Sequence, residues 1–401
     1  MDSGLASVDI AIVGPGPVGA AAALAFAQDG FSVALIGPAN PRHDGRTVAV
    51  MDRSWQLLEQ LGVASALEAE ASALIVMRLV DDTGSLFRRP PTEFRAIEIG
   101  LDQFGFNVET ATLAKALLAA AGADSCILRL PQAVKALEAF GGARLIRLAD
   151  GTTLSARLVV GADGRKSVIR NEAGIGARDW SYPQTALTTI VRHSRAHRNV
   201  STEFHTRHGP CTTVPLPGRR SSIVWMMAPD EAERQMEQDD AALALAIETR
   251  THSILGQMSL DGPRGLTPMG GLSVERFSAE RVALIGEAAH VFPPIGAQGL
   301  NLGMRDVIAL RACLNHADPG TETGLTAYDR NRSSDVRTRT GAVDALNRSL
   351  LSDLLPVDFA RGFGLLALEQ IGPLRRFVMR QGLNPSSAAD PARAARPSPR
   401  A

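Results

Sequence analysis

The apolar run DIAIV at residues 9–13 is followed by a glycine-broken turn, an alanine-rich stretch and a second apolar run, FSVALI. Short apolar runs bounded by turn residues read as strands buried on both faces, and the alanine-rich stretch reads as the helix that connects them. Further along, PRHDGRTVAVMDRSWQLLEQLGV predicts a polar turn and then an amphipathic helix with Trp55, Leu57, Leu58 and Leu61 on its apolar side. The alternating segments ALIVMRLVDD and SLFRRPPTEFRAIEIG predict strands of a different sheet, and NVETATLAKALLAAAG a helix. A hairpin through Asp150-Gly151 then leads into a buried strand ending in another glycine turn. From Ala186 to Ser273 the pattern is strand-rich, with one helix expected over DEAERQMEQDDAALALAIETR. RVALIG, from residue 281, reads as a strand rejoining the first sheet; a loop rich in glycine and proline and a helix starting near Asn301 follow.

The opening is a βαβ unit with glycines at 14, 16 and 19, a GxGxxG pattern between strand and helix. In that setting Gly14 permits the tight turn, Gly16 lets the backbone approach a pyrophosphate, and Gly19 lets helix and strand pack closely. The helix N-terminus offers free N–H groups to the phosphates. The acidic residue expected at the end of the second strand is missing, because Gly37 stands there. These signals predict an α/β protein. A discontinuous Rossmann-like dinucleotide domain is built from 1–72, 100–178 and 274–340. Residues 73–99 and 179–273 form a second, mixed β-sheet domain for substrate, 341–381 C-terminal helices, and 382–401, rich in Pro, Ala, Ser and Arg, a flexible tail.

Composition narrows the classes. Lys+Arg and Asp+Glu balance at 42 each in 401 residues, so no field draws nucleic acid. Cys126, Cys211 and Cys313 are far apart and odd in number, which fits a reducing, cytoplasmic setting rather than a disulfide framework. The eight histidines lack close metal-ligand spacing, and no GxSxG or Cys/His pair stands in a convincing setting, so neither metal nor nucleophilic catalysis is indicated. The run from Val8 to Ala27 has no basic leader and is broken by glycine and proline, unlike a signal peptide or a membrane span. The apolar, basic-ended segment Leu350 to Arg380 reads either as a helix pair packed on the first domain, the preferred reading, or as a surface for the inner membrane or a partner.

Three strand-loop-helix elements stand out: GPGPVG at 14–19, GADGRKSVIR at 161–170, and GEAAHVFPPIGAQGLN at 286–301. In this order and at these separations they resemble the para-hydroxybenzoate hydroxylase-like flavin monooxygenases. DGRTVAV near residue 44 and NRSLLSD at 347 are most similar to the ring hydroxylases of bacterial ubiquinone biosynthesis. The resemblance implies that Gly14, Gly16, Pro17, Val18 and Gly19 hold the pyrophosphate of FAD. It places Arg46 beside the flavin or its ribityl chain, and Asp163 and Gly164 in a motif that touches FAD and serves the nicotinamide donor. Glu287 stands where the family has an aspartate that accepts from the ribityl chain. Pro293, Pro294, Gly296, Gly299, Leu300 and Asn301 would form a slim loop and helix start against the isoalloxazine, with Arg46, Pro293 and Gly296 nearest the reacting centre.

By the same resemblance, NADPH or NADH reduces FAD, oxygen adds at flavin C4a, and the hydroperoxide hydroxylates a phenolic ring with a polyprenyl tail. Strands TTVPLP and SIVWMMAP would cover the ring; Trp225, Met226 and Met227 either line the tail's route or pack in the core, the latter for at least half of them. Other ubiquinone-biosynthesis proteins are the implied partners. Taken singly, the same residues have plainer readings: Asp163 as a turn cap, His290 as a hydrogen-bonded structural residue, Arg46 as a solvated loop arginine, Gln298 and Asn301 as helix-start residues. A hydroxylase of a soluble aromatic or a prenyl reductase is the alternative enzyme. A non-catalytic flavoprotein scaffold is the alternative class, suggested by the departures at Gly37 and Glu287.

Overall fold

The computed structural model describes residues 6–38, 45–84, 90–292, 298–350 and 372–383. In chain order the strands are β1 (Ala6–Val13), β2 (Val33–Ile36), β3 (Thr47–Met51), β4 (Ser72–Ala73), β5 (Val76–Asp81), β6 (Thr92–Arg95), β7 (Gly105–Glu109), β8 (Ile127–Leu130), β9 (Val134–Phe140) and β10 (Ala143–Leu148). They continue as β11 (Thr153–Gly161), β12 (Ala177–His193), β13 (Val200–His205), β14 (Cys211–Leu216), β15 (Arg220–Met227), β16 (Met258–Leu260), β17 (Gly265–Val274), β18 (Ser278–Ala279), β19 (Val282–Leu284) and β20 (His290–Val291). The helices are α1 (Pro17–Gln28), α2 (Asp52–Gln60), α3 (Thr110–Ala123), α4 (Val168–Glu172), α5 (Pro229–Glu237), α6 (Asp240–Arg250), α7 (Gln298–Cys313), α8 (Glu322–Leu350) and α9 (Gly372–Leu383).

The first sheet runs β18-β19-β11-β1-β2-β8, with β1 parallel to both β11 and β2, and β11 parallel to β19. Ile10 to Val13 are all buried, with α1 packed on β1, as in a parallel strand covered on both faces. α1 is buried from Gly19 to Ala27, and its alanines allow close approach to β1, α3 and α7. The hairpin through Asp150-Gly151 forms as expected, with β10 antiparallel to β11 and Gly151 at φ +89°. RVALIG does rejoin this sheet, as β19.

The second sheet, β20-β17-β12-β15-β14-β13-β5-β6, is mostly antiparallel. Side chains alternate across it, and each face has its own core. Leu187, Phe204, Ile223, Met227 and a partly buried Trp225 pack under α5 and α6. Met226 lies on the opposite face with Ala186 and Met269. Core packing is thus the fate of all three, Trp225 and Met227 under the helices and Met226 in the smaller cluster of the other face. Cys211 is sealed in the outer core, where burial pushes its thiol up to about 12 and leaves it unreactive.

A small third sheet, β3-β7-β4, lies between the other two. It is tied to the second by Asn107 Nδ2 donating to the Pro215 carbonyl at 2.9 Å and by the Thr47 hydroxyl donating to Ser222 Oγ at 2.7 Å.

Four details differ from the sequence reading. The single helix expected over 230–250 is two, because Asp239 leaves the helix and caps α6 by accepting the Ala242 N–H at 2.8 Å. The helix expected near Asn301 begins at Gln298. α8 continues through residue 340, where a boundary was expected, because nothing in RTRTGAVDALNRSL breaks it. β20, at 290–291, joins the second sheet although its residues fall in the segment assigned to the first. α9 ends at Leu383; 384–401, read as a tail, and 351–371, most of the apolar C-terminal segment, lie outside the described residues. Among the described residues no helix is long and apolar enough to cross a membrane, and no group of His, Cys, Asp and Glu side chains is placed to hold a metal ion.

Candidate active site

The register of three parallel strands brings the glycine loops together. Val13 lies opposite Gly161 and Gly161 opposite Leu284, so β1, β11 and β19 end at one level and their loops leave from one edge. The carboxyl edge of parallel strands is where such sheets bind ligands.

Each glycine of the first loop has a distinct geometric reason. Gly14 adopts φ +112°, and a Cβ there would run into the carbonyl of Ala162 in the second loop. A Cβ on Gly19 would collide with the Gly14 carbonyl oxygen. Gly16 differs, since its Cβ would meet nothing within 4 Å. It precedes Pro17, the first residue of α1, where the missing proline N–H costs no hydrogen bond. Val18 is wedged between the first and third loops: Cβ atoms on Gly286 and Gly303 would lie 3.4 Å and 2.6 Å from its methyl groups. Gly37 ends β2 at φ +126° with the Pro15 ring 2.9 Å from any Cβ, so an acidic side chain there would be strained and crowded.

In the second loop Asp163 caps a helix. Its carboxylate accepts the Val168 N–H at 2.7 Å, the Ile169 N–H at 3.2 Å and the Ser167 hydroxyl, fixing the head of α4. Gly164 follows at φ +82° with open space on its Cβ side. Arg170, unnoticed in the sequence, is buried and bridges two loops, donating to the Arg165 carbonyl at 2.9 Å and the Ala288 carbonyl at 3.0 Å.

The third loop begins with a turn at Gly286, φ +60°, and Glu287 is its one exposed residue between Ile285 and His290. Asn301 sits in the first turn of α7, but its amide faces β3. Oδ1 accepts the Met51 N–H at 2.9 Å and Nδ2 donates to the Ala49 carbonyl at 2.7 Å. That clamp holds the small sheet against the head of α7. Leu300 and Gly299 are half-buried beside it. Arg46 is exposed where β3 begins, its carbonyl accepting the Thr110 N–H at 3.0 Å. Gly45 before it is packed so closely on the Pro263 carbonyl that no side chain fits. Pro293, Pro294 and Gly296 lie outside the described residues.

His290 is the structural residue that its setting in the sequence suggested. It is fully buried, and its Nε2 is 2.6 Å from Asp306 Oδ2. Asp306 went unnoticed, although a carboxylate among Leu302, Met304, Val307 and Leu310 on a buried helix face is a readable signal.

Gly16, Gly164 and Gly299, one from each loop, would all point a Cβ into open space. At the edge where these loops leave the sheet, beside the head of α1, they outline a slim cradle with room for an extended dinucleotide such as FAD.

Comparisons with known proteins agree with this geometry. Residues 7–340 match the family described as FAD binding domain. The chain is 35% identical over 387 residues to the ubiquinone hydroxylase UbiL of Rhodospirillum rubrum, covering 94% of this chain and 89% of that protein. It is 32% identical to the 3-demethoxyubiquinol 3-hydroxylase of Escherichia coli, covering 94% of this chain and 98% of that protein. Among solved structures, the p-nitrophenol 4-monooxygenase PnpA of Pseudomonas putida matches the fold with a TM-score of 0.77 at 17% identity, over 96% of this chain and 100% of that one. With its cradle, its loops and these relatives, the chain belongs to the FAD-dependent monooxygenases of the para-hydroxybenzoate hydroxylase-like fold.

Proposed function

We propose that the protein hydroxylates a phenolic ring bearing a polyprenyl tail, an intermediate of ubiquinone synthesis, using NADPH or NADH and oxygen. The observation that carries this reading is a pair of apolar clusters, one on the second sheet and one running from β3 to α9. On one side the inner face of the second sheet presents Ala186, Val224 and Met226. Beyond it a second apolar cluster, including Met51, Met77, Leu101, Phe104 and Val214, extends to Met379 of α9. Methionines repack readily, so such a cluster suits a flexible hydrocarbon. The names of the two bacterial relatives, a ubiquinone hydroxylase and a 3-demethoxyubiquinol 3-hydroxylase, favour the same substrate class.

Bound FAD would supply the electron transfer and oxygen activation. The chain's part is to orient and enclose. The N-terminal amides of α1 would hold the pyrophosphate, Asn301 fixes β3 against the head of α7, and the second sheet keeps water from the ring. A cavity of about 560 Å³ beside the second loop is lined by Arg165, Lys166, Arg170 and Asn171 together with Asp179, which pairs with Arg165 at 2.5 Å; Lys166 is the group there that would meet the phosphates of a nicotinamide donor. The test is NAD(P)H oxidation with a short-chain prenylphenol, followed by mass spectrometry. The expected result is substrate-stimulated oxidation and a product heavier by one oxygen; tight FAD and reduction by NAD(P)H without that product would overturn the reading.

We further propose that the protein meets a lipid surface at the corner of α9. Ile97 is 71% exposed there, beside Glu98, which binds Arg375 at 2.6 Å, while Arg376 and Arg380 are exposed. An exposed isoleucine on a turn packed by a helix that carries two exposed arginines suits an anionic bilayer. Ile97→Asp is expected to weaken co-sedimentation with vesicles of phosphatidylglycerol and to leave turnover of a soluble short-chain substrate unchanged. Equal sedimentation of the two proteins would rule this surface out.

A further inference from the structure

The exposed Glu287 stands on a turn whose support comes from beneath. Asp306, with no exposed side-chain area, accepts the Gly286 N–H at 2.8 Å through Oδ2. The same oxygen meets His290 Nε2 at 2.6 Å, so one carboxylate oxygen pins both ends of the 286–290 segment. Oδ1 accepts Arg332 Nε of α8 at 2.6 Å. Arg332 is itself 2% exposed and is fixed in turn by Asp335 at 2.6 Å, which lies 3.3 Å from Arg305. Tyr328, one turn earlier on α8, donates to the Leu284 carbonyl at 2.7 Å, just before the turn.

A carboxylate in an apolar interior is costly, and a well-packed hydrophobic residue often stabilises a core as well or better. What an apolar residue at 306 would not supply is an acceptor for the Gly286 amide, whose backbone is held at positive φ.

We propose that Asp306 is a positioning residue for the cofactor: backed by Arg332 and His290, it fixes the Gly286 turn so that Glu287 is presented to FAD. This rests on the reading that Glu287 faces the flavin, and not on the identity of the substrate. The arrangement has three donors converging on two oxygens, a demand that an amide with one oxygen does not meet.

The experiment measures FAD dissociation constants and the absorption spectrum of bound flavin for Asp306→Asn, Asp306→Glu, Glu287→Gln and the double variant Asp306→Asn/Glu287→Gln, with thermal unfolding of each apoprotein. Asp306→Asn is expected to weaken FAD about tenfold, the scale of one lost charge-assisted hydrogen bond, and to shift the flavin spectrum. Asp306→Glu keeps the charge for Arg332 but moves the acceptor off Gly286; it is expected to weaken FAD similarly with an apoprotein melting point nearer wild type. If Asp306 acts through Glu287, the double variant is no weaker than the weaker-binding single variant. Additive losses in the double variant would overturn the proposal. So would a fall in apoprotein stability with unchanged FAD affinity and spectrum; Asp306→Glu decides the matter if Asp306→Asn does not fold. Because these readouts need no substrate, a failure of the hydroxylase reading would leave them intact.

Discussion

Gly14→Ala is expected to yield a colourless, destabilised protein, whereas Gly16→Ala yields a colourless but stably folded one. The difference follows from where each Cβ would point. At Gly14 the new atom collides with the Ala162 carbonyl, and φ +112° strains any L-residue. Steric overpacking and an unfavourable backbone conformation each cost about 1–3 kcal/mol, a large part of a typical margin of about 5–15 kcal/mol. At Gly16 the added methyl meets no protein atom. It occupies the space where a phosphate would approach, so FAD binding is lost while the apoprotein melts at the wild-type temperature. Visible absorbance and thermal unfolding of the two purified variants check both halves, and normal flavin content in Gly16→Ala would remove the pyrophosphate from this loop.

Arg332→Met is expected to carry the largest stability cost of any substitution far from the cradle. It keeps most of the side-chain volume and removes the cation bonded to Asp306. Removing one member of a buried ion pair typically costs about 3–5 kcal/mol, because the remaining charge is left uncompensated. The pH dependence has a definite sign. Burial would push the Asp306 carboxyl up, but attraction to His290 and Arg332, the His290 hydrogen bond and the Gly286 N–H hold it below the usual carboxylate value. A group depressed in the folded state adds stability that is full above its unfolded pKa and is lost as pH falls through its folded pKa. The gap between wild type and Arg332→Met is therefore widest near neutrality and narrows below about pH 4, the ordinary carboxylate range. Urea unfolding at a series of pH values measures it; a gap independent of pH would deny Asp306 its charge.

What was legible in the sequence was what short-range chemistry dictates. The GxGxxG turn, the Asp150-Gly151 hairpin and the return of RVALIG are each encoded within a few neighbouring residues, and each formed as read. β3 was passed over because TVAVM is short and adjoins a polar turn and a strong amphipathic helix. α5 and α6 merged in the reading because polar residues run through Gln238 and Asp239, and only the backbone shows that Asp239 turns to cap. The loops of the candidate site were legible as motifs, whereas the packing partners of their side chains were not. Asn301 and Val18 stand in the motifs that the resemblance assigns to FAD, yet the amide of Asn301 is bonded to β3 and the methyls of Val18 pack on the third loop. Their true neighbours are far away in sequence, and local pattern carries no record of them.

The level ends of β1, β11 and β19 also govern when a newly made chain becomes able to take up its coenzyme. Gly161 waits for Leu284, so everything between them must be synthesised before the last parallel strand docks. Long-range pairing of this kind is slow, since a large loop must close before any contact rewards it. The nascent first sheet therefore remains without β19 until the chain has been made through residue 284, and the edge from which the three glycine loops leave is completed only then.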